Sequence, residues 1–211
     1  MKKRQFSRRD FIYLGLGGGL LAATSLPLSR ALSQRRDGGG NQAFAPTPSN
    51  TLGPFYRKGA PRRERLIEPG TAGTPLVVTG RIINTDGKAL PDAKVEVFHA
   101  DAAGEYDMSG FRCRGEIPVG GAGVYRLESI VPGGYGDRAQ HIHYVVSAPG
   151  HRRLVTQLYF ENDPKFEGNP DLNYSRDNLV QYRELIRPVA TVSKNNTTYS
   201  STAFDICLEK A

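Results

Sequence analysis

A chain of 211 residues with 38% hydrophobic content carries enough apolar side chain for one well-cored domain and requires no second. Its net charge of +7 invites a nucleic-acid partner, but residues 1–33 hold Lys2, Lys3, Arg4, Arg8, Arg9 and Arg30 against Asp10 alone, a net +5; the rest carries +2, and no nucleic-acid surface is expected. Two cysteines, Cys113 and Cys207, without a Cys-x-x-Cys pair, exclude a thiolate zinc site or redox motif as the main function and leave one disulfide open.

In chain order, residues 1–33 come first, basic, then apolar and glycine-rich, then small at Ala31 and Ser33, which is the plan of an export signal. Within them SRRDFI, Ser7 to Ile12, carries the arginine pair read by the twin-arginine machinery. Export to the periplasm or beyond is therefore expected, with a membrane tether if the signal stays uncleaved. Gly15, Gly17, Gly18, Gly19 and Pro27 interrupt the apolar run, so a permanent span is the weaker reading. Residues 34–50, QRRDGGGNQAFAPTPSN, read as a flexible tether, and a folded domain is expected over 51–211.

The domain reads as β-branched runs separated by turn chemistry: LVVTGRIIN (76–84), the Asp86-Gly87 turn, KVEVFHA (94–100), GVYRLESI (123–130), HIHYVVSA (141–148), LVTQLYF (154–160) and STAFDICLE (201–209). That spacing predicts an all-β fold, an antiparallel β-sandwich with long loops and at most one or two short helices. One helix is predicted at SRDNLVQYREL (175–185), with Ser175 as cap and Leu179, Tyr182 and Leu185 on one face.

Alternation along a strand turns His141 and His143 to one side and Ile142 to the other. Two imidazoles so close resist joint protonation, and a shared cation relieves them; two hydrogen-bonded sandwich residues are the plainer alternative. His99 and His151 do not complete a histidine-only site. Tyr106 and Tyr135 stand in loops leaving strands, where ligands are often carried.

The full order, KALPDAKVEVFHADAAGEY, GVYRLESIVPGGYGDRAQHIH and LVTQLYF, with TLGPFY at Thr51 to Tyr56, resembles the intradiol ring-cleavage dioxygenases, the group that includes protocatechuate 3,4-dioxygenase. The resemblance implies that Tyr106, Tyr135, His141 and His143 are ligands of non-haem Fe(III), with Tyr135 the releasable one. It implies that Arg138 works on the substrate side with Gln157 beside it, and that Gly53 and Pro54 border the substrate pocket. The implied activity is cleavage of a catechol-type diol by O2, between the two hydroxyl-bearing carbons, to a muconate-type diacid; a homo-oligomer is compatible with it.

The chemistry agrees with the resemblance. Holding one phenol ionised at neutral pH costs about 4 kcal/mol, and a hard trivalent ion offsets that for two. The His/His/carboxylate set of ferrous oxygenases is the poorer match, since no acid accompanies the histidines. The chain departs from the family in having no tryptophan and in carrying Phe98-His99 where many members have Trp-Gln, which leaves the substrate's identity open. Two alternatives stand beside this reading. One is a non-catalytic exported β-sandwich module, which shares the Gly, turn, Pro, Ala-x-Val, Gly-x-Tyr opening; the other is an iron-binding family member without ring-cleavage activity.

Overall fold

The computed structural model describes residues 43–194 and 197–211. Their alternating apolar runs become ten strands in two five-stranded sheets: β1 (Pro75–Asn84), β2 (Lys94–Phe98), β3 (Arg114–Ile117), β4 (Val124–Ile130), β5 (His141–Ser147), β6 (Leu154–Phe160), β7 (Ile186–Arg187), β8 (Ala190–Lys194), β9 (Thr197–Ala203) and β10 (Ile206–Leu208). In the first sheet β1 is central, with β4 along one edge and β9 followed by β10 along the other; the second runs β3-β2-β5-β6-β7. The sandwich expected from the sequence is present, with one refinement. Most pairs are antiparallel, but β1 pairs in parallel with β9 and β10, and β6 with β7. Parallel neighbours need long crossovers, and residues 161–185 provide one between β6 and β7.

Between the sheets lies the core: Val95, Val97, Ile117, Ile142, Tyr144, Val146, Leu158 and Phe160 meet Leu76, Val78, Ile82, Tyr125, Leu127, Ile206 and Leu208, all buried. Each such side chain contributes about 1.5–3 kcal/mol of transfer free energy. The other side of the second sheet is covered too, because residues 50–66 run across it; the Arg63 amide donates to the Glu116 carbonyl at 3.0 Å and the Tyr56 hydroxyl to Glu96 at 3.2 Å. β5 is therefore buried along both faces until Ser147.

Three expectations change, and one point the sequence left open is decided. The helix over 175–185 does not form: single 3-10 turns occupy Tyr174–Arg176 and Arg183–Leu185, and the α-helix, α1, lies upstream at Pro170–Asn173. Tertiary bonds override the helical pattern. Asp177 is extended and fully buried, accepting from the Ala139 and Leu179 amides, while the Asn50 side chain takes the Leu179 carbonyl. The strand over 201–209 divides into β9 and β10, because Phe204 and Asp205 turn aside to bond Thr79 and Arg81 of β1. Cys113 and Cys207 are both free and buried. Finally, the described part of the 34–50 segment is fastened to the sandwich. The Phe44 amide donates to Thr85, Thr47 exchanges bonds with Cys207, and the Pro48 carbonyl accepts from Thr156. The export-signal residues, 1–33, lie outside the described residues.

Gly80 sits where β1 passes the Phe204 turn. A Cβ there would lie 2.0 Å from the Phe204 carbonyl oxygen, which also accepts from the buried Tyr125 hydroxyl at 2.6 Å. Gly80→Ala is expected to cost more than about 3 kcal/mol or to prevent folding. Tyr125→Phe, which removes one buried hydrogen bond, should cost about 1–2 kcal/mol. Urea unfolding of the two variants checks the order, and a milder loss for Gly80→Ala would contradict the packing described.

Candidate active site

The covered outer face of the second sheet is where polar residues gather. Strand register sets Arg114 of β3 opposite Phe98 of β2, Phe98 opposite His143 of β5, and His143 opposite Gln157 of β6; in the next row His141 faces Tyr159. Both histidines thus emerge on one side, as alternation requires.

Their Nε2 atoms lie 3.1 Å apart, and the Tyr106 hydroxyl is 3.3 Å from that of His141 and 3.1 Å from that of His143. His141 Nδ1 lies 2.6 Å from the Ala139 carbonyl, which can only accept, so the proton sits on Nδ1 and the Nε2 lone pair faces the cluster. Burial pushes His141 down to about 4, and burial with the neighbouring imidazole lowers His143 well below its ordinary value. Both rings are neutral at pH 7. Burial, and then Tyr135, raise the Tyr106 phenol above its ordinary value. Tyr135 meets Tyr106 edge-on with centroids 5.6 Å apart, and its ring is 5.7 Å from that of His141. The described residues hold no group of three His, Cys, Asp or Glu side chains suited to a metal; the converging set is two imidazoles and two phenols. That set fits a cation, because a positive ion lets two facing imidazole lone pairs and a phenol oxygen all act as electron-pair donors at once.

The loops carrying the tyrosines are stiff. The Asp101 carboxylate accepts from the Ala103 and Glu105 amides, and the Asp101 carbonyl from the Gly133 amide. The two loops pass so closely that a Cβ on Gly133 would lie 2.6 Å from the Ala102 carbonyl oxygen. Beyond Tyr106, Asp107 caps its own loop by accepting from Gly110, Arg112 and Ser109 amides, which hold its carboxyl well below the usual range. Aromatic rings clamp two of the groups: Phe55 stacks on Tyr106 at 4.2 Å and Phe98 on His143 at 4.3 Å.

Arg138 enters from the loop before β5. Its Nε meets both Asp177 oxygens, at 2.9 and 3.2 Å, and its Nη2 donates to Gln157 Oε1 at 2.7 Å and to the Tyr159 hydroxyl at 3.0 Å. Gln157 spends its amide nitrogen on the Thr51 carbonyl at 2.7 Å. Arg138 Nη1 has no protein acceptor among the described residues. Gly53 adopts φ +69, and its α-carbon packs so near the cluster that a Cβ would stand 3.5 Å from His143 Cε1; Pro54 beside it is exposed.

Sequence reasoning missed Tyr159, Asp177, Phe55 and Arg114. Tyr159 carried a usable signal, since it shares the face of Gln157 two residues away. Asp177 and Arg114 carried none, for Arg138 and Phe55, the partners that tie them to the site, are distant in sequence. His99 stays outside the cluster, donating to the Ala100 carbonyl and accepting from the Ser129 hydroxyl. His151 is in a loop bridged to Lys210.

A protein-family model described as "Dioxygenase" matches residues 52–210. Catechol 1,2-dioxygenase 2 of Acinetobacter lwoffii is 36% identical over 72% of this chain and 67% of its own. Catechol 1,2-dioxygenase of Pseudomonas sp. strain EST1001 is 34% identical over 56% of this chain and 48% of its own. The chain thus spans about half to two thirds of these relatives' length. Among solved structures, the dioxygenase domain of a dioxygenase–carbohydrate-binding protein fusion from Streptomyces sp. SirexAA-E is similar over 79% of this chain and 100% of that one, with 34% identity and a TM-score of 0.67. Catechol 1,2-dioxygenase of Acinetobacter radioresistens gives a TM-score of 0.72 at 25% identity, over 80% of this chain and 64% of that one.

The Arg138–Asp177 pair is buried on the acid side, with side-chain exposure of 13% and 0%. Removing the acid leaves a largely buried cation without its partner and two amides without an acceptor. Asp177→Ala is therefore expected to cost about 3–5 kcal/mol, and Asp177→Asn less. Equal stability of both variants and the parent in urea unfolding would show that the pair does not hold the loop.

Proposed function

Because this chain belongs to the dioxygenase family, within its intradiol, catechol 1,2-dioxygenase-like ring-cleavage group, we propose that it is a non-haem Fe(III) dioxygenase. The reaction is cleavage of a catechol-type diol between its hydroxyl-bearing carbons to a muconate-type diacid. The observation that carries this reading is the approach of the Tyr106 hydroxyl and both imidazole Nε2 atoms to within 3.1–3.3 Å of one another, in a buried pocket where both imidazoles are neutral.

Tyr106, Tyr135, His141 and His143 would hold the iron. A bound ferric ion supplies Lewis acidity toward a chelating diol and a charge that offsets two phenolates. The remaining work falls to side chains. Tyr135, as a phenolate beside the iron, would take up a hydroxyl proton from the diol at its phenol oxygen. Gly53, at φ +69, lets the backbone pass close to His143, and with Pro54 it would border the bound diol. Arg138, held by Asp177 on one edge, keeps Nη1 for charge that develops on the substrate, and Gln157 fixes the guanidinium by accepting from Nη2. The Phe55, Phe98 and Tyr159 rings pack against Tyr106, His143 and His141 and shield those groups from water.

Catechol, hydroxyquinol and chlorocatechol are among the diols named for the relatives, and they lead the candidate substrates here over protocatechuate. We also propose export by the twin-arginine route, supported by Arg8 and Arg9 in the leader; a folded-protein route suits a metal loaded before crossing.

Protein purified with iron should show a broad visible absorption from phenolate ligands and consume O2 with catechol. His143→Ala and Tyr135→Phe should bleach or shift the band, whereas Tyr125→Phe, in the core, should leave it intact. Arg138→Ala should keep iron and lose about 100-fold or more in turnover. A colourless protein that takes up no iron on loading would overturn the reading, and equal bleaching by all three tyrosine and histidine variants would overturn the ligand assignment.

A further inference from the structure

We propose that Arg114 is a positioning residue for the iron site, setting the orientation of Tyr106 and the ring that backs His143 from one buried point; the inference rests on the function proposed above. Arg114 is 1% exposed and stands in the same cross-strand row as Phe98 and His143. Its Nη1 donates to the Phe55 carbonyl at 2.7 Å and its Nε to the Asp107 carbonyl at 3.1 Å, while Nη2 lies 3.8 Å from Met108 Sδ. Its guanidinium carbon is 5.4 Å from the Phe98 ring centroid and 5.9 Å from that of Tyr106.

Among the described residues no carboxylate forms an ion pair with it. The nearest acid in sequence, Glu116, pairs with Arg62 and Lys94, and Asp107 spends its carboxylate on the amides of its own loop. A buried cation without a counter-ion is costly, and an apolar side chain of similar volume would fill such a space more cheaply. What the guanidinium adds is reach in several directions. One donor holds the residue whose ring stacks on Tyr106, a second holds the residue following Tyr106, and the plane lies near Tyr106 itself and near Phe98, which stacks on His143. Lysine has a single point of charge and cannot bond both carbonyls in these directions. Positive charge near the Tyr106 ring also stabilises its π electrons, and so raises the energy at which they are lent to a metal.

The test uses the iron-loaded full chain with Arg114→Lys and Arg114→Met, read by iron content, position of the visible band, and kcat and KM for catechol. Arg114→Lys should bind iron in wild-type amount, with a displaced band and kcat lower by about tenfold at a KM within about threefold of wild type. In Arg114→Met, where the charge is gone, the band should move further, to longer wavelength. Should the methionine variant not fold, the lysine variant decides alone. A lysine variant with wild-type band and kcat overturns the inference, since a residue serving only stability would lower the melting temperature and leave both unchanged. A wild-type protein with iron but no phenolate band would instead defeat the proposed function, so the two failures are told apart.

Discussion

Covering a sheet face that carries polar side chains is the constraint from which the site follows. A strand face bearing His141, His143, Gln157, Tyr159 and Arg114 would ordinarily look into water, yet residues 50–66 and the tyrosine loops seal it. Once dry, each polar atom must find a partner or a charge. Gln157 divides itself between Arg138 and the Thr51 carbonyl, Arg138 turns to Asp177, and the imidazole Nε2 atoms and the Tyr106 oxygen are left facing one another. In His143 the second nitrogen, Nδ1, is buried with no hydrogen-bond partner. The two Nε2 lone pairs and the Tyr106 oxygen are left converging on one point, where an ion would complete them.

Two buried arginines serve this face by different means. Arg138 is matched to a carboxylate, and the match holds it while one nitrogen stays unengaged by protein. Arg114 has only carbonyls, a sulfur and ring faces, contacts that fix direction more than they neutralise charge. The two lie on opposite flanks of the histidine pair, Arg114 on β3 and Arg138 bonded to Gln157 and Tyr159 of β6. Every backbone segment that supplies a site residue is bonded to one of them or to a bonded neighbour.

Strand positions were largely legible in the sequence because alternation is local: β1, β2, β4, β5 and β6 lie within a residue or two of their expected limits. Pairing was less so. Nothing in Ile186–Arg187 or in β9 says which edge it will join, and parallel partners follow from the route of the crossover. The 175–185 segment has helical spacing and still forms no α-helix, because Asp177 gains more from Arg138 and two amides than a helix would return. For the site, the histidine pair could be found from its period, and the tyrosines from the resemblance. Tyr159 and Arg114 were not singled out, although Tyr159 shares a face with Gln157.

The first described residues hold one more implication. From Phe44, lodged against Gly87 and bonded to Thr85, the chain runs the length of the sandwich by way of Thr47 and Pro48 to Asn50, and only then supplies Thr51, Gly53 and Phe55 to the reactive space. A protease cutting ahead of Ala43 would leave each of these moorings intact. One cutting past Asn50 would free Thr51, Gly53 and Phe55 from these anchors, so the eight residues from Ala43 to Asn50 tie the start of the described chain to the histidine and tyrosine cluster.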